Sequence, residues 1–283
     1  MPWAASLRRE LTARSQHLAT ANAWLHELTT GTTPSVIFGR TENQQHGNFH
    51  PTSYRNICAN PRWASRLAKV HTGYRRALPR ADWRWKELDC ANSSDALLMN
   101  IFCYRRTLRN RALSSLLGVA SGLEPEFGFR PGIPLRNGKT DRTEIDMKLG
   151  DLMLEAKLTE TGFQNAPATM IERYRDLEEV FARRELVKSG DRVENYQLIR
   201  GVLAAHSTGG SFCLLCDARR PDLIEGWYAV VRAVENCALR CRLQLRTWQE
   251  LAPALPEALR RFLALKYGIA PCMVTSEVVT SEV

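Results

Sequence analysis

The sequence predicts an α/β fold: a central mixed sheet flanked by helices, its core elements in the order αβββαβ, behind a mainly helical amino-terminal region. Three observations carry that prediction. Thr143 to Lys157 alternates charged and apolar residues and turns back on itself at Leu149-Gly150, the pattern of a two-strand hairpin with one wet face. Upstream, Asn92-Ser93-Ser94-Asp95 starts a helix through Ala96, Leu97, Leu98, Met99, Ile101 and Phe102. Downstream, Asp191 to His206 has helical periodicity and leads into Ser211 to Cys216, a short buried strand.

Along the chain, residues 1–85 read as a mostly helical region broken by a polar loop from Gly39 to Tyr54. Residues 86–270 make the core. Its first helix takes Ser94 as N-cap and Asp95 in the first turn, where the helix dipole favours an acid. After the hairpin comes a segment from Thr159 to Asn195 that includes a charged helix from Thr169 to Glu185. In the next helix Leu198, Ile199, Val202 and Leu203 form the apolar stripe, with Gln197 beside Arg200. A strand-and-helix segment, Leu243 to Leu265, closes the core, and residues 271–283, with Val-Thr-Ser-Glu-Val repeated, form a frayed, flexible tail.

The hairpin carries the chemistry. With a two-residue loop at the turn, Glu144 lies opposite Glu155 and Asp146 opposite Met153, while Ile145, Met147, Leu152, Leu154 and Ala156 point to the other side. Three carboxylates then share one face with Lys157. Like charges facing each other destabilise a hairpin by roughly 0.2–1 kcal/mol per pair, so the cluster implies a hard cation among them, and Mg²⁺ is the expectation. A solvated face that merely keeps an antiparallel sheet soluble would alternate in the same way.

Asp146 followed by Glu155-x-Lys157 resembles the PD-(D/E)XK signature of restriction-endonuclease-like nucleases, with Ile145 where the proline usually stands. The resemblance implies a restriction-endonuclease-like core in which Asp146, Glu155 and the backbone carbonyl of Ala156 hold the metal. Lys157 would orient the attacking water or steady the transition-state charge. Tyr196-Gln197 looks like the Tyr and Gln that many of these nucleases carry on the helix after the motif, and Asp95 and Glu144 are further candidate carboxylates. Trp85 to Asp89, Ser93 to Phe102, Arg246 to Leu251 and Lys266 to Ile269 are similar to a bacterial family of PD-(D/E)XK restriction endonucleases, over roughly residues 40–270. The segment from Thr159 to Asn195 departs from that family and separates Lys157 from Gln197.

Composition agrees. A chain of 283 residues can bury a sizeable core, and 44% hydrophobic with 24% charged residues places it among ordinary globular proteins. No apolar run approaches about 18 residues, and the start, with Arg8-Arg9-Glu10, lacks the stretch of a signal peptide; a cytoplasmic protein with no membrane partner is expected. A net charge of +9 favours an anionic partner. Arg8, Arg9, Arg14, Arg62, Arg66, Lys69, Arg75, Arg76, Arg80, Arg84, Arg105, Arg106, Arg109 and Arg111 are interleaved with Trp3, Trp24, Trp63, Trp83 and Trp85. Such a mixture suits a surface that tracks phosphates and stacks bases, and equally a basic helical surface with tryptophans in the core.

Cys213-x-x-Cys216 and Cys237-x-x-x-Cys241 have a spacing that resembles a four-thiolate zinc site. Against it, Cys213 and Cys216 are three apart in a strand and face opposite sides, and Cys237 and Cys241 end an amphipathic helix, so buried thiols are the expectation. His46, His50, His71 and His206 show no catalytic spacing, and no GxxxxGK[ST] loop is present, so ATP hydrolysis is not expected. The prediction is a Mg²⁺-dependent phosphodiesterase, for which Mn²⁺ can substitute, acting on nucleic acid, double-stranded DNA first, as an endonuclease rather than an exonuclease. The rivals are a catalytically inactive DNA-binding or scaffold module of the same fold and a zinc-organised interaction domain. Double-strand cleavage from one site per chain would call for a homodimer or two encounters.

Overall fold

The structure is a computed structural model that describes residues 2–29, 34–40, 45–70 and 86–270. The amino-terminal region contributes α1 (Pro2–Ala21), the short strands β1 (His26–Leu28) and β2 (Val36–Phe38), α2 (Pro51–Ala59), α3 (Pro61–Ala64) and a 3-10 turn, Ser65–Ala68. A further 3-10 turn, Glu87–Asp89, leads to α4 (Ser94–Phe102), α5 (Arg105–Leu108) and α6 (Arg111–Leu117). Strands β3 (Glu126–Phe129), β4 (Ile133–Pro134), β5 (Thr140–Asp141), β6 (Ile145–Leu149), β7 (Leu152–Ala156) and β8 (Ala166–Pro167) follow. Then come α7 (Ala168–Ile171), α8 (Leu177–Val180), β9 (Lys188–Ser189), β10 (Arg192–Val193), α9 (Tyr196–Thr208), β11 (Ser211–Cys216), α10 (Pro221–Arg232) and α11 (Cys237–Arg240). The last elements are β12 (Leu243–Thr247), α12 (Trp248–Leu251) and α13 (Glu257–Tyr267).

The architecture is mixed α/β. Its main sheet runs β12-β11-β7-β6-β3, with β11 parallel to both β7 and β12 and the other neighbours antiparallel. The pair β4–β5 is inserted between β3 and β6, and the three-stranded sheet β8-β10-β9 between β7 and α9, so the run of elements is longer than the six predicted. Both faces are covered. Met147, Leu149, Leu152, Leu154, Ala156, Cys213 and Leu215 pack under α4, α6, α13 and α1, while Met153, Phe212, Leu214 and Cys216 pack under α9 and α10. Only β6 keeps a partly exposed face, at Asp146 and Lys148, because β7 is buried along its full length. Ile145, at the outset of β6, joins the α9 layer rather than that of Met147.

The turn falls at Gly150-Asp151, one residue later than predicted, with Gly150 at φ 60°, a left-handed conformation that glycine adopts without strain. Leu149 pairs with Leu152, Lys148 with Met153 and Met147 with Leu154. Asp146 is thus not opposite Met153, nor Glu144 opposite Glu155. Ser93, not Ser94, caps α4, its Oγ accepting from Ala96 N at 3.1 Å. The polar loop ends earlier than Tyr54, because Pro51 is suited to the first helical position and His50 caps α2.

The charged helix expected over Thr169 to Glu185 is broken into α7, α8 and a 3-10 turn, Arg183–Glu185. Its apolar residues Ile171, Tyr174, Leu177, Val180 and Phe181 are all buried, but the backbone between them bonds to neighbours: Arg136 N donates to Arg173 O, Arg175 N to Pro134 O, and Phe181 bridges to Val234. Those lateral bonds replace the helical ladder. Likewise α9 begins only at Tyr196, since Arg192 and Val193 pair with β8 and β9 and Asn195 is left-handed at φ 58°. Among the described residues no helix is long and apolar enough to cross a membrane. The predicted tail lies outside the described residues, as do His71, Arg75, Arg76, Arg80, Arg84, Trp83 and Trp85.

Candidate active site

The ladder between β6 and β7 stops at Met147 and Leu154, although each strand continues, β6 against β3 through Ile145 and β7 against β11 through Ala156. Past that point a side chain replaces the backbone: Asp146 Oδ2 accepts the Ala156 N–H at 2.8 Å. On the other flank, Gly128 lies between the Phe127–Met147 and Phe129–Ile145 pairs, opposite Asp146. Glu155 and Lys157 lie two apart on β7 and just beyond it, and Lys157 Nζ donates to Glu155 Oε1 at 2.6 Å. The structure therefore brings Asp146, Ala156, Glu155 and Lys157 together where two adjacent strands part.

Charge is crowded here. Burial first, then Glu155 and Asp95, hold the Asp146 carboxyl well above the usual carboxylate range. Burial alone would depress the Lys157 ammonium, but Glu155, Asp146 and Glu160 outweigh it and keep the group charged. Asp95 and Glu144 border the same cluster through two cations from beyond α3. Arg66 donates to Glu144 at 2.7 Å and to Asp95 at 3.1 Å, and Lys69 donates to Asp95 at 2.8 Å. Lys69 and Arg66 overcome the burial penalty on Asp95 and hold it below its ordinary range, whereas burial and then Asp95 push Glu87 up to about 7. Glu155 and Lys157 are only 3% and 5% exposed, so Asp146, Glu144 and Lys69, each half-buried, form the accessible edge.

The segment after Lys157 is held by groups that sequence reasoning did not single out. Trp248 Nε1 donates to Lys157 O at 3.0 Å, the fully buried Arg220 donates to Leu158 O and Glu160 O, and Arg8 donates to Thr159 O. Glu160 accepts from Leu158 N and from Ser94 Oγ at 2.5 Å, tying this loop to α4 beside Asp95. No local pattern could have revealed these partners, which lie up to 151 residues apart in sequence.

The chain matches the family described as restriction endonuclease associating with ARP over residues 17–268. It belongs to that family. Neither the curated proteins nor the solved structures compared with the chain contain a match. Membership in the REase-ARP family carries a nuclease-like role and a nucleic-acid partner at the level of the family.

Other candidates fall elsewhere in this REase-ARP chain. Gln197 sits in the first turn of α9, where its backbone N donates to Phe163 O, and among the described residues no hydrogen bond joins it to Asp146, Glu155 or Lys157. Tyr196 Oη instead pairs with Tyr174 Oη at 2.8 Å, and Tyr174 donates to Asp141. Cys213 and Cys216 are buried in opposite layers, but Cys237 and Cys241 are exposed on and just after the separate α11, not buried at the end of α10. Of the tryptophans interleaved with the basic residues, Trp63 takes the core placement and donates to Pro125 O, whereas Trp3 is exposed. Among the described residues no three His, Cys, Asp or Glu side chains converge as a metal cage. Two carboxylates nevertheless fit Mg²⁺, which usually takes one or two from the protein and fills its octahedron with water and substrate phosphate. The all-oxygen donor set suits a hard cation.

Proposed function

We propose that the chain is a divalent-metal-dependent nuclease that hydrolyses phosphodiester bonds of DNA, with Mg²⁺ as its ion and Mn²⁺ as a substitute. The observation that carries this reading is the parting of β6 and β7, which leaves Asp146 and Glu155 without a shared backbone ladder and with Lys157 paired to Glu155 beside them. Asp146, Glu155 and the Ala156 carbonyl would hold the ion. When bound, it would polarise the phosphate and ease deprotonation of a water.

The remaining work falls to the chain. Asp146 is oriented by the Ala156 N–H, and a bound cation would offset the charge of Glu155 and Asp95 beside it. Lys157, kept charged by Glu155, would steady the negative charge that grows on the phosphoryl oxygens, and its backbone is pinned by Trp248. Endonucleolytic cutting, a double-stranded substrate, a cytoplasmic setting and a homodimer extend this reading.

The test is cleavage of single- and double-stranded DNA and RNA by the purified protein in Mg²⁺ and Mn²⁺. Asp146→Ala, Glu155→Ala and Lys157→Ala should each lower cleavage by more than about 10²-fold while circular dichroism shows a folded protein. A wild-type protein that cuts none of these substrates with either ion would overturn the enzyme, and salt-sensitive DNA binding without cutting would favour the inactive binding module.

A further inference from the structure

Lys69 and Arg66 are placed in the site by construction. Arg66 bridges Glu144 and Asp95, and Lys69 lies 2.8 Å from Asp95, 3.3 Å from Glu87 and 3.6 Å from Glu144. The sheet makes room for them: at Gly128, opposite Asp146 and at φ 70°, an added Cβ would collide with Arg66 Nη1 and crowd the Glu144 carboxyl at 2.9 Å. Arg66 thus lies over the strand position next to Asp146, with its side chain 13% exposed, while Lys69 at 28% is still open to solvent.

The pairing of charges adds to the geometry. Arg66 and Lys69 neutralise Glu144 and Asp95, and Lys157 neutralises Glu155, so among the described residues Asp146 alone of these acids has no cationic side chain within 4.0 Å. Arg130, 4.0 Å from Glu144 and two-thirds exposed, adds little because solvent screens it. Lys69 reaches this edge through Asp95 and Glu144 and keeps a side open to solvent, where an entering phosphate can meet it. Resting on the nuclease reading above, we infer that Lys69, backed by Arg66, contacts the scissile phosphate and supplies the second positive centre of the site, so that one divalent ion per chain suffices.

This role gives a signature that bracing the fold does not. A cation that repels the metal and attracts the phosphate has opposite effects on the two. Full-length protein is titrated with Mn²⁺, the free ion being read by electron paramagnetic resonance, and separately with a labelled DNA duplex and the same sequence as RNA in Ca²⁺. Wild type should bind one Mn²⁺. Lys69→Met should bind it about fivefold tighter and bind nucleic acid at least about tenfold more weakly, and Lys69→Arg should restore nucleic-acid binding. Lys69→Gln, which keeps a donor to Asp95, should show the same split if Lys69→Met does not fold. Metal and nucleic acid weakening together, neither changing, or two ions on wild type would each overturn the inference. A wild type that binds no Mn²⁺ would instead sink the nuclease reading, a result separate from Lys69 variants that behave like wild type.

Discussion

Gly128 and Asp146 face each other on neighbouring strands, and the absence of a side chain on the glycine leaves room for the Arg66–Glu144 pair. Any L-residue at Gly128 meets two obstacles, a positive φ and the Arg66 guanidinium. Gly128→Ala is therefore expected to lower stability by about 1–2 kcal/mol in urea denaturation, chiefly through the positive φ, and to reduce cleavage by more than that loss explains, because the Arg66 and Glu144 ends must shift. Equal activity at temperatures where the variant is fully folded would show that the Arg66–Glu144 pair is dispensable. Nothing in Phe-Gly-Phe announces this role. The lysine and carboxylates of the motif, by contrast, were legible because their alternation is a property of the strand itself.

Helix α4 and the β6–β7 hairpin meet where Asp95 influences Asp146, so the start of α4 sets part of the electrostatics. That start is fixed by Ser93 accepting from Ala96 N, whereas Ser94 turns to Glu160. Ser93→Ala should cost about 1 kcal/mol, visible as a lower midpoint in thermal melts followed by circular dichroism. Two adjacent serines are interchangeable in sequence, and only the Glu160 loop tells them apart. The same limit explains the lost helix over Thr169 to Glu185. Its buried residues keep a helical spacing, yet backbone partners from Pro134, Arg136 and Val234 offered a competing set of hydrogen bonds.

Lys266 joins distant parts of the fold. It is fully buried on α13, with Nζ 3.4 Å from Ser15 Oγ of α1, 4.3 Å from the Phe38 ring of β2 and 5.1 Å from the Tyr267 ring. With no carboxylate partner among the described residues, its ammonium is pushed down to about 7 by burial. The unfolded chain therefore binds more protons than the folded one between about pH 7 and the ordinary lysine value of 10.5, so this group makes stability rise with pH across that window. Lys266→Met should stabilise the protein at pH 7 by about 1–3 kcal/mol and flatten that rise, as read by urea denaturation at several pH values. A variant no more stable than wild type, with the same pH slope, would show that Lys266 is solvated or paired in solution.

The hairpin, the buried β11, the α9 stripe and the Asp146, Glu155 and Lys157 motif were written in the local pattern, since alternation and helical spacing follow from backbone geometry alone. The exact turn could not be read, because Leu149-Gly150 and Gly150-Asp151 close equally good loops until glycine's positive φ selects one. The setting of the motif was equally out of reach. Arg66, Lys69 and Glu87 arrive from beyond α3, Glu160 and Arg220 brace Lys157 from behind, and Gly128 clears a space, all through contacts between residues far apart in the chain. Local spacing decides which face a side chain takes, but the charges that share its burial come from packing, and packing here settles how acidic Asp146 is.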